Sequence, residues 1–171
     1  MNTTSDPSLA CLPALLGFVR REPSYGYEIY RRLGRPELRA IWRLKQSRLY
    51  AMLARLEGAG YLRTTLEPQE GRPPRKVFHL TEAGAAAFQA WLEQPVAHPR
   101  DMRLEFMLKL YFALEGGGGE GARLVARQRA VCAGWLREQR VVGDGPFARA
   151  VIAYRQAHIR AIAGWLDELR L

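Results

Sequence analysis

Residues 46–84 read QSRLYAMLARLEGAGYLRTTLEPQEGRPPRKVFHLTEAG, and their pattern decides the fold. Leu49, Met52, Leu53 and Leu56 recur at three- and four-residue spacing, the period of one buried helical face. The spacing predicts a helix from Gln46 to about Gly58, ended by Gly58-Ala59-Gly60. The period then changes. Tyr61 to Leu66 reads as a strand and Arg75 to Leu80 as a second, joined by an eight-residue loop, Glu67 to Pro74, rich in proline and glycine. Thr81 is placed to cap a further helix, Glu82 to about Glu93, with Glu82 in its first turn.

Upstream, Leu12 to Arg20 reads as a short apolar helix broken by Arg21-Glu22-Pro23. Ser24 can cap a second helix, Tyr25 to about Leu33, ending at Gly34. Tyr27, Ile29, Tyr30 and Leu33 give it an approximate inner stripe, while Arg31, Arg32 and Arg35 are polar or solvent-facing positions; Pro36 to Trp42 is helical in part. Helix, helix, helix, hairpin, helix is the order of a winged helix-turn-helix, here over 1–95. Downstream, Asp101 can cap a helix through about Glu115, apolar from Phe106 to Leu114 except at Lys109. Gly116 to Gly119 forms a turn, a long helix runs from Glu120 to Val142, and Gly143-Asp144-Gly145-Pro146 turns the chain again. A last helix, Phe147 to Leu171, carries Val151, Tyr154, Ile162, Trp165, Leu166 and Leu169 as a wide apolar face. Helices this apolar need a partner surface: each other, the first domain, or the same helices of a second subunit, and two-fold dimers are the commonest solution. The expected class is α+β, mainly α: a winged helix-turn-helix followed over 100–171 by a helical dimerisation part, which is also the candidate effector-sensing part.

Composition narrows the function. The 171 residues include 26 Lys plus Arg against 17 Asp plus Glu, a net charge of +9 and a pI near 10.1. Such a balance suits a polyanion partner and says nothing of fold. The excess leans to the N-terminal part, +6 over 1–100 against +3 over 101–171. No run of 18 apolar residues marks a membrane span, and the opening MNTTSDPSLACL lacks the pattern of a secretory signal. Cys11 and Cys132 stand apart among apolar residues and read as buried free thiols, which suits the cytoplasm. His79, His98 and His158 have no metal-ligand spacing, and the chain carries neither GxGxxG nor a Walker loop. No Ser/His/Asp or Cys/His arrangement can be assembled, so neither an enzyme nor a cofactor is expected.

A major groove about 12 Å wide admits one helix, whose N-terminal residues reach the base edges. Lys45, Gln46, Ser47 and Arg48 open the helix from Gln46 and are the candidates. Gln pairs bidentately with adenine and Arg with guanine. Tyr50 lies at the rim, within reach of a phosphate. The hairpin supplies a second footprint in Arg72, Arg75 and Lys76, stiffened by Pro73 and Pro74, although Glu67 and Glu70 oppose its charge. Tyr25 is placed either to donate to a phosphate or to pack inside the domain. A dimer separates two such helices by about 34–36 Å, so double-stranded DNA with an inverted-repeat operator is the expected partner.

Several of these stretches resemble those of PadR-like transcriptional regulators. Tyr25-Gly26-Tyr27-Glu28-Ile29 resembles the family's (H/Y)GYEI segment. Gln46-Ser47-Arg48-Leu49-Tyr50, with Leu53, Leu56-Glu57 and Gly60, resembles its recognition helix. Gly71-Arg72-Pro73-Pro74-Arg75-Lys76-Val77-Phe78 and Leu80-Thr81-Glu82-Ala83-Gly84 resemble its wing. Arg100-Asp101 and Leu108-Lys109-Leu110 resemble the start of the dimerisation part in the longer, virulence-regulator-like subgroup. The resemblance implies a homodimeric repressor, released or retuned by a small molecule or another signal. It also implies that Tyr25, the 45–50 stretch and Arg72, Arg75 and Lys76 touch the operator. Lys45 departs from the Ser or Thr cap of many relatives and adds a positive charge there. Trp42, Trp91, Phe106, Tyr111, Trp135 and Trp165 are candidates to line an effector pocket or to fill the core. The competing class is a winged-helix protein-interaction module without specific DNA binding.

Overall fold

The structure is a computed structural model that describes residues 10–138 and 143–171, and of Arg72 and Pro73 the backbone alone. The first helix, α1 (Ala14–Gly17), is wholly buried and shorter than the sequence suggests. Tighter turns flank it: the Ala14 amide donates to Cys11 at 3.0 Å and the Val19 amide to Leu16 at 3.1 Å.

Ser24 does not cap a helix. It pairs with Phe78 in β1 (Ser24–Tyr25), and its buried hydroxyl has no hydrogen-bond partner among the described residues. Tyr25 is the cap residue of α2 (Gly26–Leu33), without a side-chain bond to it. Sheet pairing takes Ser24 because Val77 and Phe78 offer a strand edge there. On α2, Ile29 and Leu33 are buried, but Tyr27 is 65% exposed, so it lies outside the inner stripe. α3 (Pro36–Ile41) opens on proline at its first turn and ends at Trp42.

Next comes α4 (Gln46–Gly58), with Leu49, Met52, Leu53 and Leu56 buried as the period requires. Each such leucine contributes about 1.5–3 kcal/mol over its exposed state. Gly60 takes φ +75°, the Gly60 amide donates to Glu57 and the Tyr61 amide to Leu56, both at 2.9 Å. Those two bonds satisfy the last carbonyls of the helix.

The hairpin is longer and tighter than an eight-residue loop would make it. β2 (Leu62–Gln69) and β3 (Arg72–Leu80) pair almost to their tips, from Leu62 opposite Leu80 to Gln69 opposite Arg72. Only Glu70 and Gly71 turn the chain, with Gly71 at φ +66°. Strands survive the prolines for two reasons. The sheet order is β1-β3-β2, yet β1 reaches β3 only at Val77 and Phe78, so Pro73 and Pro74 lie where β3 has a free edge. Pro68 sits in a register shift between Glu67 and Gln69.

Thr81 caps α5 (Glu82–Glu93) as expected, its hydroxyl accepting from the Gly84 amide at 3.0 Å and donating to the Gly60 carbonyl at 2.7 Å. The linker follows, then a 3-10 turn (Pro99–Arg103). Asp101 lies inside that turn and caps nothing; α6 (Glu105–Gly116) starts after Leu104 without a side-chain cap. Three glycines with positive φ, Gly117, Gly118 and Gly119, lead into α7 (Glu120–Arg137). The expected end of this helix at 139–142 lies outside the described residues. α8 (Pro146–Glu168) packs Ile159, Ile162 and Leu166 inward. On its expected apolar face Tyr154 is exposed, and Trp165 meets the Phe106 ring edge-on at 6.0 Å.

One core runs through both parts. Phe112 of α6 meets Phe18 at 5.2 Å and Phe88 at 5.5 Å between ring centroids. A Cβ on Gly17 would stand 2.6 Å from the Phe112 ring, so that glycine makes room for it.

Candidate nucleic-acid interface

The N-terminal edge of α4 stands in solvent. Lys45, Gln46, Ser47 and Arg48 are exposed, and Lys45 makes no capping bond. The first amides of a helix have no partner within it and carry a partial positive charge, which favours an anion. Tyr50 is half-exposed on the next turn. Its ring lies against the start of α2, where a Cβ on Gly26 would stand 2.5 Å from Tyr50 Cε1. Gly26 therefore lets α2 and α4 approach.

Tyr25 joins the wing. Its hydroxyl donates to Glu67 Oε2 at 3.0 Å, and the Arg75 guanidinium lies 3.6 Å above its ring. Arg75 Nε and Nη2 donate to the same Glu67 oxygen at 3.2 and 3.1 Å. These donors hold the Glu67 carboxyl below its ordinary range, the Tyr25 bond first and Arg75 next. Desolvation, and then the bond to Glu67, raises the Tyr25 hydroxyl.

Lys76 has a similar arrangement. Its Nζ donates to Glu57 Oε2 at 2.6 Å, while Thr64 donates to Glu57 Oε1 at 2.6 Å. The Lys76 and Thr64 bonds lower the Glu57 carboxyl in that order. Arg72 follows the turn directly, with its side chain outside the described residues.

Glu57 and Glu67 were absent from the sequence-derived candidates. The signal for Glu67 was its register: a hairpin closed at Glu70-Gly71 sets Glu67 opposite Arg75, whereas an eight-residue loop leaves them unrelated. The structure thus joins Tyr25 to Arg75, fastens Lys76 to the end of α4, and presents Lys45 to Arg48 at its start.

Other candidates fall elsewhere. Trp42, Trp91 and Phe106 are buried in the core, and Tyr111 packs edge-on against Phe112 at 5.1 Å. Burial, with Glu115 adding to it, pushes the Tyr111 hydroxyl up to about 12. Cys11 and Cys132 are buried free thiols; burial, then Glu105 and Asp101, pushes Cys11 up to about 12. Among the described residues, no three His, Cys, Asp or Glu are grouped so as to hold a metal ion. None of the described helices is long and apolar enough to cross a membrane.

Trp135 lines a groove of about 400 Å³ with His98, Arg100, Tyr154, Arg155 and His158. Its indole also donates to the Ala97 carbonyl at 2.8 Å, inside the linker between the winged and helical parts. A side chain in the groove therefore holds the linker backbone directly.

Residues 15–90 match the Transcriptional regulator PadR-like family. The chain is 34% identical over 101 residues to the Negative transcriptional regulator PadR of Bacillus subtilis, covering 58% of this chain and 54% of that protein. It is 30% identical over 90 residues to the Mycobacterium tuberculosis protein named "Probable transcriptional regulator Rv1176c", covering 53% of this chain and 47% of the other. The chain thus spans about half the length of the curated relatives it matches. A crystal structure of Bacillus subtilis PadR in complex with operator DNA aligns with TM-score 0.49 and 23% identity, over 91% of this chain and 95% of that one.

Proposed function

Because residues 15–90 match the PadR-like family of transcriptional regulators, we propose that the chain is a member of that family and a sequence-specific DNA-binding regulator, a homodimeric repressor acting in the cytoplasm. The observation that carries this reading is the open edge of α4, with Gln46, Ser47 and Arg48 exposed beside a two-stranded wing. Gln46 and Arg48 read base edges in the major groove; Lys45 and Ser47 secure the helix on phosphates. Tyr50, Tyr25 and the wing cations Arg72, Arg75 and Lys76 bind the flanking backbone. DNA phosphates compete with Glu57 and Glu67 for the last two.

Residues 1–95 form the reading head and residues 100–171 the dimerisation part, with the longer layout of the virulence-regulator-like subgroup. The outward side of α8 supports dimerisation, since Phe147 and Tyr154 are exposed there. A two-fold dimer then reads an inverted repeat. An effector, bound in the groove beside Trp135, alters the linker and with it the separation of the two heads.

The test is selection of a preferred duplex from random DNA, followed by titration of wild type and Arg48→Ala at several salt concentrations. The variant is expected to lose about 1–3 kcal/mol at one base position and to relax its preference there. A wild type that selects no duplex, or an Arg48→Ala with undiminished preference, overturns the reading. The first outcome favours a protein-interaction module.

A further inference from the structure

Two of the wing cations, Arg75 and Lys76, are matched by carboxylates, but most of another set are not. A groove of about 630 Å³ lies between α2, α3 and the segment that enters α4. Arg31, Arg39, Arg43 and Lys45 line it together with Tyr27 and Trp42, and no carboxylate does. Arg31 has a loose pair with Glu28 at 3.9 Å; none of the ion pairs among the described residues involves Arg39, Arg43 or Lys45. All four cations are exposed, and so is Tyr27, whereas Trp42 is buried beneath them.

The local backbone explains the shape. Trp42 leaves α3 at φ −132° and ψ 106°, and its amide donates to the Leu38 carbonyl at 2.7 Å. The chain then runs without helical turns to Lys45, the cap residue of α4. Lys45 is thus shared: it belongs both to the reading edge of α4 and to this groove. A ligand on the edge of α4 and a ligand in the groove meet at one residue.

Duplex DNA carries one negative charge per about 3.4 Å of each strand. Arg39, Arg43 and Lys45, outside the ion pairs of the described residues and continuous with the exposed start of α4, suit such a polyanion better than a single small anion. We propose that the groove is a track for the DNA phosphodiester backbone flanking the base-reading site. Arg39 and Arg43 are its main contacts and the Tyr27 hydroxyl an auxiliary donor. The inference rests on the reading of α4 as the recognition helix. It adds that the footprint of each head extends past the bases α4 reads.

The experiment compares full-length wild type, Arg39→Gln/Arg43→Gln and the charge-matched control Arg103→Gln/Arg137→Gln, whose sites lie on the helical part. Each is titrated at several salt concentrations with the selected duplex, long and with its flanks trimmed. Circular dichroism melts establish that each variant folds, and single variants replace a double that does not. On the long duplex the groove variant is expected to bind at least tenfold more weakly. Its log–log salt slope should be shallower by about 2, near 0.9 per phosphate lost. Its base preference should be unchanged, the trimmed duplex should show little difference, and the control should behave as wild type. An unchanged slope, an equal loss in the control, or a changed base preference overturns the inference. So does stoichiometric binding of adenosine monophosphate in the groove without DNA, which would make it a nucleotide site. Should wild type select no duplex, the α4 reading fails by itself, and the slope on random DNA still decides whether the groove binds phosphates.

Discussion

Glu67 receives three donors on one oxygen, the Tyr25 hydroxyl and two nitrogens of Arg75, at 3.0 to 3.2 Å. Arg75 cannot give the same nitrogens to a phosphate without leaving that carboxylate. Both side chains are nearly half exposed, so the pair itself stabilises the fold little. Its consequence lies in binding. Glu67→Gln removes a negative charge beside the wing and releases Arg75. The variant is expected to bind duplex DNA about threefold more tightly, with a steeper salt dependence and weaker discrimination between sequences. Titration of operator and scrambled duplexes checks this; unchanged affinity for both would mean that Arg75 does not meet DNA. The pH dependence follows from the lowered Glu67 carboxyl. A depressed carboxyl contributes its interaction above the unfolded-state value and loses it as pH falls through the folded one. Wild type should therefore approach the behaviour of the variant only in acid, below the ordinary carboxylate range.

At the scale of elements, α5 lies directly on the chain that leaves α4. A Cβ on Gly84 would stand 2.1 Å from the Tyr61 carbonyl oxygen, which is backbone and cannot swing aside. Helix propensity alone favours alanine over glycine by about 0.8–1.0 kcal/mol. The clash wins at this site, and Gly84→Ala is expected to destabilise the protein by about 1–3 kcal/mol. Gly134→Ala, in the last turn of α7 with only Arg137 Nη2 at 4.0 Å, should gain stability instead. Urea denaturation of the pair separates the two effects, and equal signs would contradict the packing of α5. Elements with local rules were legible in the sequence: α4 begins and ends at the residues its period and glycines mark, and Thr81 caps α5. Elements that depend on distant pairing were not. Ser24 reads as a cap until Phe78 is known to lie opposite it, and prolines read as loop until β3 is known to have a free edge there. The bounds and buried face of α4 were therefore legible in the sequence, while the carboxylates holding Arg75 and Lys76, and the groove between α2 and α3, depend on the tertiary structure.

Across the whole molecule, two parts share a core and a held linker. The linker backbone is gripped at three carbonyls and one amide by side chains of the helical part. Lys109, only 2% exposed, donates to the Gln94 carbonyl at 2.7 Å and to Glu105 at 2.9 Å. Burial lowers the Lys109 ammonium, while Glu105 acts in the opposite sense. Gln128, fully buried, accepts from the Val96 amide at 2.8 Å and donates to the Val96 carbonyl at 3.2 Å. Trp135 adds its bond to Ala97. The proposed dimer, which would set two reading heads one DNA turn apart, needs such a fixed connection, since freedom at the linker spreads the heads over many separations. Gln128→Leu keeps the bulk but leaves the amide and carbonyl of buried Val96 without partners, at about 1–3 kcal/mol for each. The variant should lose amide-exchange protection at Val96. It should also lose much more affinity for a two-half-site operator than for a single half-site, because only the former requires a fixed separation of the heads. An equal loss on both duplexes would show that Gln128 merely stabilises the fold. Protection lost at Val96 with operator affinity intact would show that the shared core around Phe112, rather than the linker, orients the heads.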